Sequence, residues 1–420
     1  MIPRIKPPEA LSEIKQTLSA SERVLSNARS RFEGALASFV GARHVLAFNR
    51  GRDALTQLLI ALKLPKGVGV GIPAVCCPAV RDAIAEAELK PVWIDCGING
   101  SLSPSALRKS AKAGLKAAIV IHLNGMPASL SEIMDICEEN GVFLIEDCAQ
   151  ALGSEYANRK VGTFGNAAIF SFAFDKHLSL GLGGALATNN NDLATSVQKL
   201  NTPTTSPESE REILYGLALL EQRFHDNEYT SFIPVDEGIA KPLPLSLAGE
   251  VVKWLNNSIP ARPKVEIPKP KSRLTRWLGR KKIKTEQEKP QLMGNYRAYL
   301  GLLLLKSLPN QNLQRRFLAA TWRDGLAGMK HFSRSAWDPD WFKPVPLRYT
   351  IFADPLERPK LIRLFTELGV ECGPFNWSAP LAPCPNAQDF CRRIINLPNY
   401  PELDHDMILE ITQNIRKVWR

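Results

Sequence analysis

Three short stretches concentrate side chains that can act together: Ile145-Glu146-Asp147-Cys148-Ala149-Gln150, Phe170-Ser171-Phe172-Ala173-Phe174-Asp175-Lys176, and Gly181-Leu182-Gly183-Gly184. An acid closes one apolar run, and a serine and a lysine close the next. If the two runs are strands of one sheet, a carboxylate, a hydroxyl and an amine meet in one crevice, which is what a pyridoxal phosphate site needs. There a lysine amine forms the Schiff base, a carboxylate keeps the pyridine nitrogen protonated so that the ring accepts electrons, and a hydroxyl hydrogen-bonds the phosphate. Lys176, Asp147 and Ser171 are the candidates for these roles. The phosphate also wants a helix N-terminus. Residues 45–48, then Asn49-Arg50-Gly51-Arg52 and Asp53-Ala54-Leu55, read as strand, glycine turn and helix start, with Gly51 in the turn and Arg52 adding a fixed positive charge.

The elements that must hold these residues follow from periodicity. From about 45 to 190, short apolar runs at 45–48, 68–72, 91–94, 117–122, 142–145 and 167–172 alternate with helical patterns such as 53–62 and 130–139. That alternation predicts βαβ units and a mostly parallel sheet, with ligands bound beyond the carboxyl ends of the strands. After 200 the pattern changes. Regular structure should be sparse between 232 and 290, where prolines recur, and a smaller α+β domain follows, with helices at 293–308, 311–328 and 358–368, a strand at 348–352 and a helix from about 406. The expected division is a large domain with an N-terminal arm over 1–255, a basic Pro/Lys-rich insert over 256–290, and a small C-terminal domain over 291–420.

Composition excludes several classes. The chain has 420 residues, 45% from the apolar set and 23% charged, which suits an enzyme with one large and one smaller core. No apolar run reaches the roughly 18–20 residues of a bilayer span. The N-terminus has no apolar leader segment, so the expected location is cytoplasmic. The eight cysteines form no Cys-x-x-Cys pair and no zinc spacing, and no metal site is expected. Gly67, Gly69 and Gly71 do not complete a nicotinamide fingerprint, and no phosphate loop with its lysine is present. Of the net charge of +11, residues 261–290 carry +8, from eleven Lys/Arg and three Asp/Glu. Such a local excess reads as a linker, a docking patch or a peripheral membrane contact through 268–288, where Leu274, Trp277 and Leu278 share one helical face among arginines and lysines. Nothing in it resembles a nucleic-acid reading module, so no nucleic acid is expected as a partner.

The ordered blocks Gly51-Arg52-Asp53-Ala54-Leu55, Pro91-Val92-Trp93-Ile94-Asp95, His122-Leu123-Asn124-Gly125, Glu146-Asp147-Cys148-Ala149-Gln150-Ala151, Ser171-Phe172 with Lys176, Gly183-Gly184 and Leu397-Pro398-Asn399-Tyr400-Pro401 resemble the DegT/DnrJ/EryC1/StrS family of sugar aminotransferases. The resemblance implies the type I aminotransferase fold, pyridoxal 5'-phosphate as cofactor, and a homodimer with active sites at the subunit interface. It implies amino transfer from an amino acid, usually glutamate, to a nucleotide-linked keto sugar, for polysaccharide or glycosylated-metabolite biosynthesis. By position, Lys176 corresponds to the Schiff-base lysine, Asp147 to the partner of the pyridine nitrogen, Gln150 to the residue near the ring's 3-hydroxyl, and Ser171 to a phosphate ligand. Arg52 stands where the family has Thr or Ser, Cys77 where it often has a stacking aromatic, and Leu182 where it has Glu. Its Asn-x-Arg-Met segment, supplied by the partner subunit, is matched here only by Gln291-Leu292-Met293-Gly294-Asn295, which leaves Asn295 without a secure equivalent. Two other readings stay open. A pyridoxal-dependent sugar dehydratase is disfavoured by the presence of Lys176, and a non-catalytic sugar-binding or scaffolding protein remains compatible with the altered positions.

Overall fold

The computed structural model describes residues 2–3, 6, 9–97, 99–200, 202–225, 289–329, 332–334, 342–373 and 379–419. The amphipathic stretch within 268–288 lies outside the described residues.

The first five strands alternate with helices as the periodicity requires: β1 (His44–Phe48), β2 (Gly69–Pro73), β3 (Lys90–Ile94), β4 (Ala117–Ile121) and β5 (Phe143–Asp147). A short hairpin of β6 (Glu155–Tyr156) and β7 (Arg159–Lys160) then precedes β8 (Ala167–Ser171) and β9 (Gly184–Thr188). Seven of these make one sheet in the order β1-β9-β8-β5-β4-β2-β3. All neighbours in the run β8-β5-β4-β2-β3 are parallel, while β9 runs antiparallel to both β8 and β1. Ala-Ala-Ile-Val-Ile in β4 is buried throughout, as a central parallel strand covered on both faces must be. The sequence reading missed β9, because Gly-Ala-Leu-Ala-Thr has little β-branched content; its full burial between two partners decides its state.

Helices cover both faces of the sheet. Ala28–Val40, Pro104–Lys112, Leu130–Glu139 and Asn295–Leu304 build one core with Phe32, Leu36, Leu107, Ile133 and Leu300. Gly51–Ala61, Pro78–Glu86 and Asn191–Gln198 build the other with Leu55, Leu58, Ile84 and Leu193. Proline opens Pro78–Glu86 and Pro104–Lys112, where its fixed φ suits the first turn and its missing N–H is not needed. The segment before Asn295 closes the free edge of β1: Asn49 N–H donates to Gln291 O at 2.7 Å, and Met293 N–H donates to Ala47 O at 3.0 Å. Residues 293–308, grouped by sequence with the C-terminal domain, therefore pack in the large domain's core.

A second core belongs to the C-terminal region. There β10 (Phe332–Arg334), β12 (Arg348–Ala353) and β13 (Ile394–Pro398) form an antiparallel sheet covered by Leu308–Leu326, Arg358–Glu367 and His405–Val418. The intervening β11 (Phe342–Lys343) instead pairs with β6 of the large domain. Ile2 pairs with Val370, so the N-terminal arm reaches the C-terminal region. No helix among the described residues is long and apolar enough to cross a membrane.

Candidate active site

The tip of β8 delivers Ser171, and the turn after it delivers Lys176, whose backbone N–H closes on Ala173 O at 3.0 Å. The Lys176 side chain is 15% exposed, and its Nζ donates to Asp175 Oδ2 at 3.2 Å. Arg348 Nη2, from β12, donates to the same oxygen at 3.4 Å. Burial pushes the Asp175 carboxyl upward, but Lys176 and Arg348 outweigh it and hold the group below its ordinary range.

One strand away, Asp147 ends β5 with 5% exposure. Its Oδ1 accepts from Ala149 N–H at 2.9 Å, while Oδ2 has no hydrogen-bond donor among the described residues. Burial raises the Asp147 pKa; Ala149 N–H, Lys176 and His122 offset this only in part. Gln150 is also buried, and its Oε1 accepts from Asn124 N–H at 3.0 Å. Asn124 has φ +53° and spans the two domains through Thr350 Oγ1 at 2.9 Å and Asn396 Oδ1 at 2.8 Å. Behind Asp147, Glu146 accepts from His122 Nε2 and from the N–H groups of Gly162, Phe164 and Gly165. His122 Nδ1 accepts from Ala128 N–H at 3.0 Å, so the proton sits on Nε2. His122 and Glu146 thus brace the β4 and β5 ends and do not face the crevice as reacting groups.

The third part of the site is the N-terminus of Gly51–Ala61, whose first-turn N–H groups have no intrahelical acceptor. A Cβ on Gly51 would lie 3.1 Å from Phe170 O and 3.4 Å from the Ser171 Cβ, and one on Gly184 would lie 2.3 Å from Gly51 N. Only glycines allow this approach, which sets Ser171 beside the helix N-terminus. Arg52 lies on the same turn, with its Nε 3.8 Å from Glu86 Oε1, so its charge is shared with the next helix.

Other groups surround the crevice. Cys77 caps Pro78–Glu86; its thiol is pushed up chiefly by desolvation and lies in the field of Lys176, Asp147 and Asp175. His177, next to Lys176, donates from Nε2 to Val345 O at 2.9 Å, and burial first, then Arg315, lower its pKa to about 3. It is a neutral structural histidine. The expected Asn-x-Arg pattern does occur, as Asn295-Tyr296-Arg297, two residues beyond the stretch compared in the sequence, with Ala298 in place of Met. Arg297 is fully buried against Glu210 and Asn49 and donates to Leu182 O at 3.1 Å, while Asn295 Oδ1 accepts from Arg29 N–H. Sequence reasoning did not select Asp175, Asn124 or Arg348. Asp175 adjoins Lys176 and Asn124 lies within a quoted block, but no local signal points to Arg348.

The sequence profile of the DegT/DnrJ/EryC1/StrS aminotransferase family matches residues 6–217 and 285–416. The chain belongs to this family. Among similar family proteins is the spore coat polysaccharide biosynthesis protein SpsC of Bacillus subtilis strain 168, 30% identical over 198 residues, covering 46% of this chain and 50% of SpsC. Another is the UDP-N-acetyl-3-dehydro-alpha-D-glucosamine 3-aminotransferase of Acidithiobacillus ferrooxidans, 30% identical over 203 residues, covering 46% of this chain and 53% of that protein. The matches span about half the length of these relatives. The aminotransferase PseC of Helicobacter pylori superposes with a TM-score of 0.70 over 100% of this chain and 99% of its own, at 19% identity, which shows that the two share a fold.

Aminotransferases of the DegT family use pyridoxal phosphate, and the residues present fit it. Asp147, itself a buried residue, offers a carboxylate oxygen without a donor among the described residues, Lys176 a partly exposed amine within that carboxylate's field, and Ser171 with the Gly51 turn a cradle that side chains at 51 and 184 would fill.

Proposed function

We propose that the chain is a pyridoxal phosphate-dependent aminotransferase that moves an amino group from an amino acid, glutamate, to a nucleotide-linked keto sugar. The observation that carries this reading is the buried Asp147 at the end of β5, with one carboxylate oxygen lacking a donor among the described residues and the charge of Lys176 near enough to act on it, in a chain of the DegT family. The names of its relatives, a 3-aminotransferase for a UDP-linked dehydro sugar and a polysaccharide biosynthesis protein, support the sugar class. When bound, pyridoxal phosphate supplies an electron sink for the carbon that loses its proton.

The chain's own residues do the rest. Asp147 would hold the ring nitrogen's hydrogen at Oδ2, which has no competing donor among the described residues. Ser171 Oγ and the first-turn N–H groups of Gly51–Ala61 would bind the phosphate, Arg52 adding long-range positive charge. Gln150, fixed by Asn124, would lie against the ring's hydroxyl edge. Lys176 Nζ would take the proton from the donor's α-carbon and return it on the other side of the transfer. We place the working form as a cytoplasmic homodimer, with 268–288 as a peripheral contact to an anionic membrane surface.

Borohydride reduction of the purified protein, followed by peptide mapping, tests the core of the proposal. A pyridoxyl adduct on Lys176 is the expected result. A colourless protein that takes up no added pyridoxal phosphate would overturn it and favour a scaffolding role.

A further inference from the structure

Lys176 has a neighbour that its proposed role does not explain. Asp175 is the residue immediately before it, and a side chain one position away normally points elsewhere. Here the two side chains meet within one turn, with Nζ 3.2 Å from Asp175 Oδ2. The same oxygen is 3.4 Å from Arg348 Nη2. Arg348 opens β12 in the C-terminal sheet and is 4% exposed, whereas Lys176 and Asp175 come from the large domain and are 15% exposed at their side chains. One carboxylate oxygen is therefore shared between the reactive lysine and a buried guanidinium of the other domain. Partly buried, charge-assisted hydrogen bonds of this kind are the stronger ones, because little water screens them.

We propose that Asp175 is a positioning residue for Lys176: it gives the free lysine amine a fixed resting place, and through Arg348 it ties that place to the seating of the C-terminal sheet. The role rests on the aminotransferase reading, in which the amine is unattached for half of each cycle and must then be kept near the donor's α-carbon. An amine held against a carboxylate is a poor nucleophile, and it stays where it is held. Arg348 competes for the same oxygen, so the hold on Lys176 weakens when Arg348 is seated and strengthens when it is not.

Competitive acetylation tests this on the full-length chain freed of cofactor. The rate of acetic anhydride labelling at Lys176 is read by peptide mass spectrometry against surface lysines such as Lys66 and Lys360 as internal references, with near-ultraviolet circular dichroism confirming the fold of each variant. Asp175→Asn keeps the side-chain volume and removes the charge, and Lys176 is expected to label about fivefold faster, the size of a partly screened ion pair. Arg348→Gln removes the competitor, and Lys176 is expected to label more slowly than in the unaltered chain. A purely structural contact would not move the two variants in opposite directions. Equal labelling in all three proteins, or a change of the same sign in both variants, overturns the proposal. Because acetylation reads the amine without the cofactor, failure here is distinct from failure of the aminotransferase reading, which the borohydride adduct decides.

Discussion

At single residues, the site divides into groups that act and groups that brace. Lys176→Ala removes the amine proposed to move the α-proton, so turnover should fall by on the order of 10³-fold or more and the borohydride adduct should vanish; a stopped assay with peptide mapping checks both. Asp147→Asn preserves the shape and the bond from Ala149 N–H but not the charge, and should lower turnover by on the order of 10²–10³-fold while weakening cofactor uptake, measured by absorbance titration. Survival of near-normal turnover in this variant would remove Asp147 from its role. The candidates themselves were legible in the sequence: an acid and a lysine closing successive apolar runs are local signals, and the roles proposed for them rest on that chemistry together with the family resemblance. Arg348 was not legible, because its contact with Asp175 joins positions far apart in the chain and no local pattern marks a buried arginine at the start of a strand.

The secondary-structure elements place those residues through a few close approaches. Gly125 has φ +89°, and a Cβ there would lie 2.0 Å from Val345 O. Gly125→Ala should therefore cost about 2–4 kcal/mol, read as a lower denaturant midpoint with an unchanged slope, through both strain and the lost seat of the C-terminal region. Glu221, in Pro207–His225, accepts at Oε1 from Ala10 N–H and Leu11 N–H, both at 2.8 Å, and so anchors Leu11–Leu18. Burial first, with Glu9 and Glu13 adding, raises its pKa to about 7 despite those two donors. A raised carboxyl binds its proton more tightly folded than unfolded, so its stabilisation is full below the ordinary value of 4.5 and is lost as pH rises through about 7. Glu221→Gln keeps an acceptor without the charge. It should match the unaltered chain near pH 4.5 and exceed it at pH 8 by on the order of 2 kcal/mol, which thermal denaturation at the two pH values will show. The strands at 45–48, 91–94 and 142–145 could be read from periodicity because their β-branched and apolar residues run together. β9 could not: its Gly, Ala and Thr become a strand only because β1 and β8 flank it. The Asn295–Leu304 helix was found, yet its domain was not, since an all-apolar stretch such as Leu302-Leu303-Leu304-Leu305 does not say which core it enters.

For the whole molecule, charge is concentrated in one stretch of the sequence. Residues 261–290 carry +8 of the net +11, so a chain lacking 268–288 should lose co-sedimentation with anionic vesicles while keeping its turnover; binding by the full chain should also fade with added salt. Equal sedimentation of the two proteins would reduce the segment to a linker. The sheet's edge has a different kind of significance. β1 precedes β2–β13 in the chain, yet its partners are β9 on one side and the stretch at Gln291 and Leu292 on the other. Such sequence-distant pairing slows folding, and the strand stays incomplete until most of the chain has been made. The turn at Gly51 gains its shape only when Gly184 arrives beside it, so in a refolding experiment the colour of captured pyridoxal phosphate should appear after the bulk of helical signal has returned: the cofactor's absorbance would serve as a clock for the last stage of assembly.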